Sequence, residues 1–285
     1  MVTNKALSSI TVWYNPSQQD LESIKTYNSF FEKIYIIDNS SKDNNNLAAQ
    51  ISNALYVPNN ENLGIARALN IGCKKAMEDG FKWVMTMDQD SSWNKDVLEH
   101  YLSAVCSNTD ETIKSFAPKH RNEIKSLVGD IKYKLEDKDV NDVNFPAKVM
   151  TSGNIISLET WNNIGHFNEE LFIDEVDHEF CYRLNHAGYK ICEFQNIYMV
   201  HTLGLVKKTL LPRPCKHSGL RLYYIFRNML YIKKVFPQEY KSQHYKKYMT
   251  FAIIQKCLEF KFKDLNYIRQ GIKACKKNKF GKYHS

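Results

Sequence analysis

An alternation limits most strongly how this chain can fold. Apolar runs of strand character are separated by helical stretches, and each run stops in polar residues. The pattern predicts a first strand over residues 6–13, ended by Tyr14-Asn15-Pro16, because proline cannot continue a central strand. Leu21, Ile24, Tyr27, Phe30 and Phe31 then recur at helical spacing over 17–31. A fully apolar second strand at 34–37 ends in Asp38-Asn39-Ser40, and a short third one at 54–57 closes on Pro58. Residues 59–64 form a turn, 65–79 a helix, and 83–87 a fourth strand that delivers Asp88-Gln89-Asp90. Such alternation predicts an α/β fold with a mostly parallel central sheet covered by helices on both faces. Thr11, Tyr14, Asn15, Asp38, Asp88 and Asp90 then converge on one rim, where open α/β sheets bind ligands.

Carboxylate oxygens are hard ligands suited to Mg²⁺ or Mn²⁺, ions held by carboxylates together with substrate phosphates. Asp88 and Asp90 therefore read as a metal–diphosphate site, with a solvated acidic loop as the plainer alternative. Asp38 is placed to hold a ribose hydroxyl or a base edge, or to form a turn. No G-x-G-x-x-G follows the first strand and no G-x-x-x-x-G-K-[ST] occurs anywhere, which argues against NAD and P-loop chemistry. Gly153, in an expected strand over 150–156, marks either a bulge or close approach of a ligand.

A second acidic cluster, Asp174-Glu175-Val176-Asp177-His178-Glu179, opens a helix that runs from Val176 and is closed by Gly188. The helix dipole accounts for one or two acids there, not four. Asp177 is expected to face the rim as a general base, with a helix cap as the plainer alternative. Short strands are expected at 189–194 and 197–200, and His201 follows at once. A lone histidine at a strand end is more often structural, but its imidazole could complete a carboxylate-bound Mn²⁺ site. Residues 108–148 are polar and mixed, with a strand near 113–117, a loop over 123–142 and no evident chemistry.

Charge is distributed unevenly. Residues 201–285 carry 20 Lys+Arg against 3 Asp+Glu, a net of +17, and residues 1–200 carry 19 against 28, a net of −9, summing to +8. A basic tail of this kind meets something anionic: a membrane surface, nucleic acid or an anionic substrate. Residues 219–236 read as an amphipathic helix with Arg221, Tyr224 and Asn228 on one face, and 244–280 as a further basic helix with Phe251, Ile254, Leu258 and Ile268 apolar. No apolar run approaches the ~20 residues of a membrane-spanning helix. The seven cysteines form no C-x-x-C pair, and no signal-peptide pattern opens the chain, so a cytoplasmic setting is expected.

These residues together resemble a known family. Val12-Trp13-Tyr14-Asn15-Pro16, Ile37-Asp38-Asn39-Ser40-Ser41, Asn60-Glu61-Asn62-Leu63-Gly64-Ile65-Ala66 and Met87-Asp88-Gln89-Asp90-Ser91 resemble family 2 glycosyltransferases. Ser152-Gly153-Asn154, Leu171-Phe172-Ile173-Asp174-Glu175-Val176-Asp177, His201-Thr202-Leu203-Gly204 and Arg221-Leu222-Tyr223-Tyr224 with Arg227-Asn228 narrow this to the bacterial rhamnosyltransferase-like subgroup. The match runs in order from about residue 8 to residue 236. The resemblance implies a GT-A fold, inverting transfer from a nucleotide-sugar donor, and a divalent metal. It implies a catalytic domain over 1–204, with a nucleotide-binding half (1–92) and an acceptor and base half (93–204), followed by a basic helical region over 205–285.

Carried over by resemblance, Asp38 would hold the base or ribose, with Thr11, Tyr14 and Asn15 lining that pocket. Asn62, Gly64 and Arg67 would sit near the nucleotide and its phosphates, and Ser152 and Gly153 would also belong to the donor site. Asp88 would face ribose or sugar, Asp90 would bind the metal with His201, and Arg227 would contact the diphosphate. Asp177 matches the general base, with Asp174 as runner-up. An aromatic or bulky residue is usual where Glu175 stands, a departure that bears on donor or acceptor recognition.

The expected donor is dTDP-L-rhamnose, ahead of UDP-galactofuranose or a UDP-hexose. The expected acceptor is a glycan or lipid-linked glycan at the cytoplasmic face of a bacterial plasma membrane, where the basic region would meet anionic lipid. A sugar nucleotidyltransferase would be expected to carry a glycine-rich basic loop after the first strand, where Tyr14-Asn15-Pro16 stands. Nucleic acid is not an expected partner, because the aromatics of the basic region fall at core spacing rather than forming a stacking platform.

Overall fold

The computed structural model describes residues 2–123, 142–202 and 217–284. The chain runs β1 (Leu7–Trp13), α1 (Gln18–Lys25), β2 (Ile34–Asp38), α2 (Asn45–Ala48), β3 (Ala54–Pro58), α3 (Ile65–Glu78), β4 (Trp83–Asp88) and β5 (Ser91–Ser92). It continues through α4 (Lys95–Ser107), β6 (Ile113–Glu123), β7 (Val143–Asn144), β8 (Asn154–Ser157), α5 (Leu158–Asn163), α6 (Val176–His186) and β9 (Lys190–Thr202). The basic region forms α7 (Gly219–Val235), α8 (Pro237–Ser242), α9 (Tyr245–Leu258) and α10 (Phe262–Lys276).

The strands form one sheet in the order β3-β2-β1-β4-β8-β6-β9-β5, with β7 paired to β9. β1 to β4 are mutually parallel, and β8 is antiparallel to both β4 and β6. Every residue of β1 is buried because both sheet faces are covered. Trp13, Ile36 and Met85 pack with α1 and α4 on one face through Leu21, Ile24, Leu98 and Tyr101. Ile10, Ile37 and Val84 pack with α3, α5 and α6 on the other through Leu69, Trp161 and Phe180.

Several boundaries differ from the expectation. The helix over 17–31 ends at Lys25, where the Thr26 hydroxyl donates to the Ser23 carbonyl and accepts from the Trp93 amide; a 3-10 turn then holds Asn28–Phe30. The strand over 150–156 is only β8, and Gly153 stands before it in a turn with φ 77°. The two strands at 189–200 are one, β9, interrupted by a register shift between its pairings at Phe194 and Tyr198. The basic helix over 244–280 is two helices, α9 and α10, broken at Phe260, whose φ is 53°. Of the loop expected over 123–142, residues 124–141 lie outside the described residues, as does the expected domain boundary at 204/205.

The basic region is docked rather than free along α7 and α10. Leu222, Phe226, Met229 and Ile232 form a core with Ile268 and with Tyr182 of α6. Gly271 of α10 rests on the backbone of α7: a Cβ there would collide with the Tyr223 carbonyl. The Gly281 amide donates to the Glu170 carbonyl at 2.7 Å, and Lys282 pairs with Glu61 at 3.1 Å. Gly271→Ala is therefore expected to cost about 1–3 kcal/mol, the usual range for overpacking. Chemical denaturation checks this, and an unchanged midpoint would mean that α10 does not bear on α7.

Candidate active site

β1 lies between β2 and β4, with Trp13 paired to Asp38 and Val12 to Asp88. Two strand spacings put the Asp38 and Asp88 backbones roughly 10 Å apart on one rim. Side-chain bonds lace the turns between them. The Tyr14 amide donates to Gln89 Oε1 and the Asn15 amide to Ser40 Oγ, both at 2.7 Å. Asn15 adopts φ 49° there, a conformation asparagine tolerates. Because β8 is antiparallel to β4, the turn that precedes it, residues 151–153, arrives at the same rim. The Asp88 amide donates to Ser152 Oγ at 3.0 Å.

The second acidic cluster is built on an unusual backbone. After a 3-10 turn at Glu169–Leu171, three non-glycine residues take left-handed φ: Phe172 (64°), Asp174 (67°) and Glu175 (61°). α7 holds them there. Asn228 Nδ2 donates to the carbonyls of Leu171, Ile173 and Asp174 at 2.8–3.0 Å, and Arg227 Nη2 to those of Glu170 and Leu171. Arg221 pairs with the Asp174 carboxylate at 2.6 Å, and the Tyr224 ring stacks on Phe172. The loop then launches α6 with Asp177 in its first turn. Asp177 Oδ2 accepts from the Thr151 amide and hydroxyl at 3.1 and 3.2 Å, and Oδ1 from the His178 amide. Asp177 thereby stands at the rim beside the turn that holds Asp88.

The acids share one electrostatic neighbourhood. Burial, then the carboxylates of Asp90 and Asp177, push Asp88 up to about 7, with Arg221 opposing. Burial also raises Asp174, against the Arg221 guanidinium. Behind Asp177 lies a buried cluster. Glu175 Oε2 accepts from the Tyr245 hydroxyl of α9 at 2.6 Å and lies 3.1 Å from His178 Nδ1, while Lys148 Nζ lies 3.2 Å from that nitrogen. Burial alone would lower His178, but Asp177 and Glu175 outweigh it and raise it. Burial lowers Lys148.

Among the described residues no group of three or more His, Cys, Asp or Glu side chains is arranged to enclose a metal ion. The donor chemistry nevertheless fits one in a different way. Burial first, and then the Asp90 and Asp177 carboxylates, disfavour a charged Asp88, a cost that a bound cation relieves. Hard carboxylate donors at a rim suit Mg²⁺ or Mn²⁺ taking their remaining ligands from a diphosphate and water. The β5–β9 pairing sets the His201 backbone opposite Ser91, one residue from Asp90; the His201 side chain lies outside the described structure.

Other expected residues have different surroundings. Arg227 is 0% exposed; besides its loop bonds it donates to the Gly281 carbonyl and stacks on Tyr223, Tyr224 and Phe280, so it is a structural tie and not a diphosphate ligand. Thr11 is fully enclosed and bonds the Tyr27 hydroxyl at 2.8 Å, supporting the rim from below instead of lining it. Asp38 accepts from the Ser40 amide and hydroxyl, Asn44 Nδ2 and the Tyr56 hydroxyl, which fills a carboxylate's capacity; a nucleotide contact requires exchange of one of these bonds.

Two glycines serve packing. At Gly153 a Cβ would lie 2.7 Å from Pro118 Cγ, so the close approach is by protein and not by ligand. At Gly64, φ 87°, it would lie 2.6 Å from the Phe172 carbonyl, which already accepts from the Ile65 amide. Asn62 Oδ1 caps the Gly64 amide, and exposed Arg67 lies 3.9 Å from Glu169. Sequence reasoning missed Thr151, Lys148, His178 and Tyr245. The helical face of Arg221, Tyr224 and Asn228 was the available signal for the α7 clamp. A cavity of about 670 Å³ lined by Phe81, Trp83, Asp110 and Ile113 opens at the opposite, amino end of the strands and contains none of the candidate residues.

The chain is similar to proteins of one family. The profile of Glycosyl transferase family 2 matches residues 18–175. The chain is 30% identical over 241 residues to the dTDP-rhamnosyl transferase RfbF of Shigella flexneri, covering 79% of each. It superposes on GalNAc-T7 crystallised with UDP, GalNAc and Mn²⁺ with a TM-score of 0.61 at 15% identity, covering 83% of this chain and 49% of that one. It superposes on residues 1–349 of S. aureus TarS in complex with UDP-GlcNAc with a TM-score of 0.56 at 12% identity, covering 98% and 93%. At these identities the structures establish the fold, which is GT-A.

The raised Asp88 gives a signed pH dependence. Its folded value of about 7 exceeds the ordinary 3.8, so between the two the folded chain binds the extra proton and stability falls as pH rises. In chelator, Asp88→Asn is expected to stabilise the protein more at about pH 8 than at about pH 4, the gain levelling off above about pH 7. Thermal unfolding across pH checks this, and a pH-independent difference would contradict it.

Proposed function

As the chain belongs to glycosyl transferase family 2, we propose that this glycosyltransferase moves L-rhamnose from dTDP-L-rhamnose to a hydroxyl of a growing cell-surface glycan, with inversion at the anomeric carbon. The observation that carries this reading is the meeting of two acidic clusters, 86 residues apart in sequence at Asp88 and Asp174, on one sheet rim. The likeness to a dTDP-rhamnosyl transferase supports the choice of donor.

Asp177 is the proposed general base. Two bonds from Thr151 fix its carboxylate, and a carboxylate so oriented takes the acceptor's proton as the hydroxyl attacks. Asp174 is unsuited to that role because Arg221 neutralises it at 2.6 Å. Tyr14 and Asn15 border the nucleotide pocket, and Asp38 orders its wall. Asp88 faces the sugar or ribose, its charge balanced in part by Arg221. Asp90, with His201, would hold Mg²⁺ or Mn²⁺. When bound, the metal stabilises negative charge on the departing diphosphate. Displacement from the face opposite that leaving group inverts the centre without an enzyme nucleophile. The acceptor is proposed to be a glycan or lipid-linked glycan met at the cytoplasmic face of the plasma membrane.

Asp177→Asn preserves volume and the Thr151 contacts of one oxygen but cannot take a proton. It is expected to lower transfer about 10²–10⁴-fold while retaining donor binding. Release of dTDP from dTDP-L-rhamnose, compared with UDP-galactofuranose and UDP-hexoses, identifies the donor. Normal transfer by Asp177→Asn together with an inactive Asp174→Asn would reassign the base.

A further inference from the structure

The α9 helix buries polar residues beside its core residues Tyr245 and Ala252 and leaves large apolar ones outside. On the inner side of α9, Gln255 and Lys256 are buried, and Lys256 needs Asp264 at 3.2 Å and the His217 carbonyl at 3.4 Å to be accommodated there. On the outer side stand Ile254, 51% exposed, and Leu258, 62% exposed, one helical turn apart. The turn that follows adds Phe260 at 77% and Phe262 at 69%. Their rings lie 6.4 Å apart, edge to face, and with Ile254 and Leu258 they give this end of the hairpin four exposed apolar side chains within nine residues. Phe260 occupies the left-handed position after a helix, φ 53°, where glycine is the usual residue. A bulky ring kept at that position without core contacts points to a use outside the folded core.

The surroundings specify the occupant. Lys247 lies on the same outer face of α9, exposed Lys246 on its flank, and exposed Lys261 and Lys263 alternate with the two phenylalanines. Lys261 pairs with Glu259 at 2.8 Å. Over residues 245–264 five lysines face Glu259 and Asp264, a net of +3. Aromatic rings set among lysines at a convex tip fit the boundary between acyl chains and anionic headgroups: the rings enter the apolar layer while the ammonium groups stay at the phosphates. A protein groove would cover the rings equally well but gives no reason for the exposed lysines, Lys261 and Lys263, set beside them.

We propose that the α9–α10 tip, through Ile254, Leu258, Phe260 and Phe262, is a membrane-docking element for anionic lipid. This deepens the peripheral-membrane reading above by giving it an address. It removes α7, and α10 beyond its first residue Phe262, from that role, since their apolar faces are spent on the acidic loop and on each other. The hairpin is tied to the site through Tyr245 of α9, so docking fixes the orientation of the rim relative to the bilayer.

Co-sedimentation with phosphatidylcholine vesicles, with and without phosphatidylglycerol, tests the proposal on the full chain. The wild type is expected to bind the anionic vesicles, with binding weakened by salt. The double variant Phe260→Ser/Phe262→Ser is expected to lose at least about tenfold in affinity while keeping its unfolding midpoint and its release of dTDP from donor. Equal binding by the variant would place the lipid contact elsewhere and overturn the address. No binding by the wild type would overturn the membrane reading itself, whatever the donor. A wild-type dimer in sedimentation velocity that the double variant abolishes would assign the tip to a second copy and also overturn the proposal.

Discussion

One asparagine governs the geometry of the site. Three carbonyls of the acidic loop lie within hydrogen-bonding distance of Asn228 Nδ2, which has two hydrogens, so one bond is shared. Those carbonyls belong to a stretch with left-handed residues at Phe172, Asp174 and Glu175. Each such residue costs of order 1–3 kcal/mol and persists only where its surroundings over-determine it. Asn228, Arg227 and the stacking of Tyr224 on Phe172 supply that constraint. The loop in turn offers the Phe172 carbonyl to α3 and starts α6 at Asp177. The basic C-terminal region is thus part of the scaffold that orients the proposed base.

Electrostatics follows the same connections. Burial raises Asp88, and the carboxylates that the loop and the β4 end bring near it add to the rise, to about 7. Arg221 is the cation that α7 places against them, pairing with Asp174 and moderating Asp88. A site that repels its own second negative charge is ready for a cation and a diphosphate that arrive together. The Glu175, His178, Lys148 and Tyr245 cluster behind Asp177 keeps its charges matched out of water, which leaves Asp177 as the acid of α6 turned to Thr151.

The sheet and its rim were legible in the sequence because period and punctuation are local. Apolar runs at 34–37 and 83–87, each ended by an aspartate, are sufficient to place Asp38 and Asp88 at one level. Asp177 was legible because four acids exceed what a helix start needs. Arg227 misled because its chemistry suits a phosphate as well as a carbonyl cluster, and only tertiary contacts decide. Gly153 was ambiguous for a related reason: a glycine reports close approach without saying by what. Ile254 and Leu258 lie at helical spacing with no sign of which side faces the core. The buried partner of Glu175 on α9 is 70 residues away, beyond any local pattern.

The central claim is that the carboxyl rim of the sheet, closed by the α7-clamped loop, is one nucleotide-sugar site. A crystal structure with dTDP and Mn²⁺ tests it most directly. The account predicts the nucleotide against Tyr14, Asn15 and the Asp38 turn, with the diphosphate and metal at Asp90 and the Asp177 carboxylate facing the place of the departed sugar. A nucleotide bound in the cavity beside Phe81 and Asp110, or a metal distant from Asp88 and Asp90, would contradict it.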